Sequence, residues 1–133
     1  MQKVIYSLLV LSSPFSGHCS RSAAQFAHCA IARGHSIHRI FFLDAGTLAS
    51  AASSVSAQDE DTSLKGWSEL AGQHGVDLAI CITSALKHGM MDQVEADRHE
   101  HPCATINPLF TVSGLGQLVD ACASSDRLIT FGG

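Results

Sequence analysis

The sequence predicts an α/β sandwich of three layers built around a mainly parallel five-stranded sheet, and three observations predict it. Short apolar runs recur along the chain, segments of helical periodicity separate them, and residues such as Gly34, Asp44, Gly75 and Gly89 punctuate the changes. Strands that alternate with helices require right-handed crossovers, and so parallel neighbours.

Taken in order, Val4 to Leu11 is an almost continuous apolar run, as expected of a strand covered by helices on both faces. Leu11 to Ser20 (LSSPFSGHCS) reads as the loop at its carboxyl end. Ser20 or Ser22 can cap a helix whose stripe is Ala23, Phe26, Ala27, Ala30 and Ile31, with Gly34 as the stop. His38 to Leu43 is a second strand. Ala45 to Thr62 is rich in Ala and Ser and contains the acidic run Asp59-Glu60-Asp61, so it reads first as an exposed flexible connection, with a mobile lid or a partner-contacting segment as the alternatives. Leu64, Trp67, Leu70 and Ala71 form the next helical stripe, capped by Asp61 or Thr62 and closed by Gly72 and Gly75. Val76 to Ile82 (VDLAICI) is the third strand. A short turn over Ala85 to His88 and a polar helix over Asp92 to Glu100 follow, then a brief strand at Ala104 to Ile106. Ser113 is expected to cap a last helix through Leu115, Leu118, Val119 and Cys122, and Arg127 to Phe131 is the fifth strand. The arrangement is of flavodoxin-like type, with strand order 2-1-3-4-5 expected and a crevice at the carboxyl ends of the first and third strands.

Composition narrows the function. The 133 residues fit one domain, 1–133, and 46% hydrophobic with 15% charged residues is lightly charged for the surface of a small monomer, which points to contact with other subunits. A net charge of −4 with eight scattered Lys and Arg argues against a nucleic-acid surface. No run is long and apolar enough for a membrane span, and Ser7 interrupts the first apolar stretch, so a buried strand explains it better than a signal peptide. Five cysteines without a CxxC pair fit neither a disulfide framework nor a zinc knuckle, and a reducing cytoplasm is the simplest setting. His18-Cys19, His28-Cys29 and His99-Glu100-His101-Pro102-Cys103 contain no set of four ligands with structural zinc spacing, so no metal is expected.

Cys81 stands at the junction of the third strand and the following turn. A thiol reacts as its thiolate, and a free cysteine titrates near about 8.5, so a reactive one needs an environment that favours the anion. The N–H groups of a following helix supply that, and Lys87 and His88 would add positive charge. Against this, a cysteine inside an apolar strand is commonly a small core residue. Cys29 and Cys122 fall on helical stripes where packing explains them. Cys19, in the first loop at the same sheet edge, is a candidate second thiol; Cys103 follows Pro102 in an exposed-looking segment. The interval from Cys81 to Lys87 matches the cysteine-to-arginine spacing of low-molecular-weight tyrosine phosphatases, but Lys lacks the bidentate fork and residues 82–86 contain no glycine for a phosphate cradle. A flavin- or nucleotide-binding module suits the fold, yet Phe15 and Trp67 are too few aromatics to sandwich a ring.

The run Trp67-Ser68-Glu69-Leu70, His74-Gly75-Val76-Asp77-Leu78, Ile80-Cys81 and Ala85-Leu86-Lys87-His88-Gly89 resembles the DsrE/TusD family of sulfurtransferase subunits. Gln25-Phe26-Ala27, Gly34-His35, Phe41-Phe42, Asp92, Glu95-Ala96, Phe110, Ser113 to Leu118, Asp126-Arg127-Leu128 and Phe131-Gly132 extend the likeness over most of the chain, while Leu11 to Ser20 and Ala45 to Ala57 depart from it. The resemblance implies a sulfur-relay subunit that takes sulfane sulfur from a small carrier protein onto Cys81 as a persulfide and passes it to an acceptor protein. That serves tRNA 2-thiouridine synthesis or dissimilatory sulfur oxidation. It implies paralogous subunits in a heterohexamer, or else self-association. Thr83, Ser84 and the N–H groups after Cys81 would hold the terminal sulfur anion, with Lys87 nearby; no cofactor is needed. A scaffold subunit with an inert thiol is the alternative.

Overall fold

The computed structural model describes residues 2–55, 57 and 63–132. The acidic run Asp59-Glu60-Asp61 and the Asp61 or Thr62 cap lie outside the described residues. Strands β1 (Ile5–Val10), β2 (Ser36–Phe42), β3 (Asp77–Cys81), β4 (Phe110–Ser113) and β5 (Arg127–Phe131) alternate with helices α1 (Cys19–Ala32), α2 (Ser63–His74), α3 (Ile82–Lys87), α4 (Gln93–Arg98) and α5 (Gly116–Ser124). A 3-10 helix, Asp44–Ser50, occupies the first part of the segment expected to be an exposed connection.

All four ladders are parallel, as the crossovers require, and the α/β class is as expected. The strand order is β4-β3-β2-β1-β5, not 2-1-3-4-5, so β2 rather than β1 stands beside β3. Two small residues explain the difference. With right-handed crossovers, an order of 2-1-3 would send α1 and α2 to opposite faces. Here they share a face: a Cβ on Gly66 would lie 3.2 Å from the Cβ of Ala24, so the two backbones approach closely, and Trp67 beside it packs its ring edge-on against Phe42 at 5.1 Å. A chain stepping steadily from β1 to β4 keeps its helices on one side, and the return to β5 places α5 on the other.

The sheet therefore buries two unequal layers. Leu8, Val10, Ile40, Phe42, Leu78 and Ile80 enter a large core with Ala23, Ala24 and Ala27 of α1 and Trp67 and Leu70 of α2. On the opposite side Phe41, Ala79 and Cys81 form a small cluster against which Leu9, Leu43 and Leu118 of α5 pack. Gly75 closes α2 at φ 64°, a left-handed conformation that costs a Cβ-bearing residue more.

Two further expectations change. Ile106 makes an isolated antiparallel bridge to Ala51, and the fourth strand comes later, at Phe110–Ser113. Ser113 ends that strand instead of capping the last helix, whose N-cap is Leu115.

Candidate functional site

Cys81 is the last residue of β3 and the N-cap of α3, with extended backbone at φ −65° and ψ 124°. Alternation along β3 sends Leu78 and Ile80 to the large core and Ala79 and Cys81 to the α5 side. Cys81 is buried, at 4% exposure. Its side chain makes no capping hydrogen bond, so the N–H groups of the six-residue α3 do not hold the resting sulfur.

The neighbours expected around it are spread out. Ser84 is buried, and its Oγ accepts a hydrogen bond from the backbone N–H of Asp44 at 2.9 Å, tying α3 to the start of the 3-10 helix. Thr83 and Lys87 are exposed. Cys19 opens α1, where its thiol lies 3.5 Å from the carbonyl of Gly132, just beyond β5. With β2 interposed, β1 and β3 are two strand spacings apart, roughly 10 Å, so the expected crevice between their ends does not form and Cys19 is set apart from Cys81. Cys29 and Cys122, read as packed, are exposed, as is Cys103.

Sequence reasoning missed Ser113. It is the ladder partner of Cys81 across β3 and β4, and its Oγ is buried without a hydrogen-bond partner. The run Phe110-Thr111-Val112, aromatic then β-branched, was the signal for a strand at this point.

Charge anchors α5 over this side. Arg39 Nε donates to Asp77 Oδ2 at 2.7 Å, and its Nη1 donates to Asp120 Oδ2 at 2.6 Å and to the Gln117 carbonyl at 3.0 Å. His38 Nε2 lies 3.1 Å from the same Asp120 oxygen. Hydrogen bonds from His38 and then Arg39 hold the Asp120 carboxyl down to about 2. Burial opposes the charge on Arg39, but its bonds to Asp77 and Asp120 outweigh that and raise it further above its ordinary value.

Elsewhere, His101 Nδ1 lies 2.8 Å from the carbonyl of Cys103. Among the described residues no three His, Cys, Asp or Glu side chains gather as a metal-binding group, and no helix is long and apolar enough to cross a membrane.

The model of the DsrE/DsrF-like family matches residues 5–131. This chain belongs to the DsrE/DsrF-like family. DsrE of Allochromatium vinosum is 38% identical over 127 residues, 96% of this chain and 98% of that one. Sulfurtransferase TusD of Serratia proteamaculans is 39% identical over 126 residues, 95% of this chain and 98% of that one. A sulfurtransferase TusD homologue of Pseudomonas aeruginosa is 39% identical over 125 residues, 94% and 95% of the two chains. Among solved structures the ychN protein from E. coli shares the fold, with a TM-score of 0.71 over 98% of this chain and 100% of that one at 15% identity.

Proposed function

We propose that this DsrE/DsrF-like chain is a cytoplasmic sulfurtransferase of a sulfur relay, carrying sulfane sulfur as a persulfide on Cys81. The names of its relatives support sulfur transfer. The observation that carries the choice of residue is the seat of Cys81: it closes β3 at the carboxyl end of the parallel sheet and stands at the N-cap of α3. Transfer needs a thiolate and a donor persulfide and no cofactor. Ser84 is fixed one turn from Cys81, and the exposed Thr83 and Lys87 would meet an approaching donor protein. The exposed Leu115 at the N-cap of α5, Val119 of α5 and Leu128 of β5 support contact with paralogous subunits. The acceptor belongs to tRNA 2-thiouridine synthesis or to dissimilatory sulfur metabolism.

The burial of Cys81 favours a second reading, a scaffold subunit with an inert thiol. Incubation with a cysteine desulfurase and a persulfidated carrier protein separates the two. A relay subunit gains about 32 Da on the peptide bearing Cys81 (one sulfur atom), and Cys81→Ser does not; a protein that takes up no sulfur at Cys81 is a scaffold.

A further inference from the structure

Phe110 and Val112 of β4 point into the large core, so Thr111 and Ser113 face the α5 side. Ser113 is the register partner of Cys81 on the adjacent strand, so the two side chains stand next to each other on one face. The Ser113 hydroxyl is enclosed and makes no hydrogen bond, to the thiol or to anything else. A buried hydroxyl without a partner is costly and rarely kept. Parallel strands lie about 4.8 Å apart, and a persulfide places its terminal sulfur about 2.05 Å beyond Sγ. A group absent from the resting thiol thus arrives beside the idle hydroxyl.

We infer that Ser113 is part of the sulfur site and donates its O–H to the terminal sulfur of the Cys81 persulfide. This rests on the carrier reading. In the transfer step the Cys81 thiolate attacks the outer sulfur of a donor persulfide, the donor S–S bond breaks, and its electron pair leaves on the donor thiolate. The new persulfide loses its proton to water, and nothing is oxidised or reduced overall. Ser113 keeps its proton and holds the resulting anion. It acts on the loaded form and not on the resting thiol.

Two ways of loading test this apart from the carrier reading. Inorganic polysulfide loads Cys81 directly: the thiolate attacks the chain and releases a polysulfide shorter by one sulfur. After excess reagent is removed, mass spectrometry of the Cys81 peptide gives the persulfide lifetime. Ser113→Ala is expected to shorten it about tenfold, the effect of losing one hydrogen bond to a charged group, and Ser113→Thr to retain it. Resting Ser113→Ala should melt at or above the wild-type temperature and alkylate at Cys81 at the wild-type rate. Equal lifetimes in wild type and Ser113→Ala overturn the proposal, and so does a Ser113→Ala protein that melts well below wild type, since the hydroxyl would then be structural. Loading by polysulfide but not by a persulfidated carrier protein sinks the carrier reading alone. Loading by neither sinks both.

Discussion

Arg39 and Asp120 join the central strand to α5, Nη1 donating to Oδ2 at 2.6 Å, and His38 reaches the same oxygen from the next residue of β2. The helix they hold carries Leu118, which packs on the cluster containing Cys81. The ion pairs therefore position cover over Cys81.

Acid should loosen that anchor. The Asp120 carboxyl sits at about 2 in the folded chain, below the ordinary carboxylate value, so the stability it contributes is complete above roughly pH 4 and is lost as pH falls through about 2. Urea midpoints of wild type and Asp120→Asn should differ at neutral pH and converge near pH 2. A constant offset across that window would contradict the assignment.

Reagent access should follow cover as well as exposure. Iodoacetamide is expected to modify the exposed Cys29, Cys103 and Cys122 first and Cys81 only as its cluster opens. Leu118→Ala should speed Cys81 severalfold and leave Cys103 unchanged, followed by peptide mass mapping. An unchanged Cys81 rate would show that α5 does not gate the thiol.

Trp67 is fully buried with its ring edge-on to Phe42, yet its indole N–H has no partner. Trp67→Ala should cost about 3–5 kcal/mol. Trp67→Phe gives up less, because it also removes a buried donor that gains nothing, and is expected to cost under about 2 kcal/mol. Chemical denaturation of both variants measures the gap.

Gly46 leaves no room for a side chain: a Cβ there would stand 2.1 Å from the carbonyl oxygen of Val10, which already accepts from Leu43 N–H. Backbone must move to accept even alanine. Gly46→Ala should lower the melting temperature by about 10 °C, on the order of 3 kcal/mol for a chain of this length. A melting temperature within a degree or two of wild type would show that the 3-10 helix sits on β1 less tightly than the structure has it.

Much of the fold was legible because the strands are apolar and short and the helices between them carry stripes of small residues. Arg127 to Phe131 was readable to the residue, and the Asp92 side chain caps α4 by accepting from the Glu95 N–H at 2.9 Å, where the helix was expected to begin. Strand order was not legible, since it depends on which face α2 chooses, and that turns on the fit of Gly66 against Ala24, two residues that look featureless in sequence. Phe41 and Phe42 held the clue: adjacent large residues point to opposite faces, and both are fully buried, which marks a central strand. The place of Cys81 at a strand end was legible from the apolar run that leads to it. Ser113 was not, because serine before Gly-Leu-Gly reads as a cap, and only the ladder turns it toward the thiol.

The two sides of the sheet are fastened by different forces. Interlocked small and aromatic residues hold α1 and α2, and charge screening does not weaken such packing; α5 relies in addition on half-exposed charges around Arg39, which added salt screens. Ionic strength should therefore soften one side of this molecule and spare the other, and the side it softens is the one that holds Cys81.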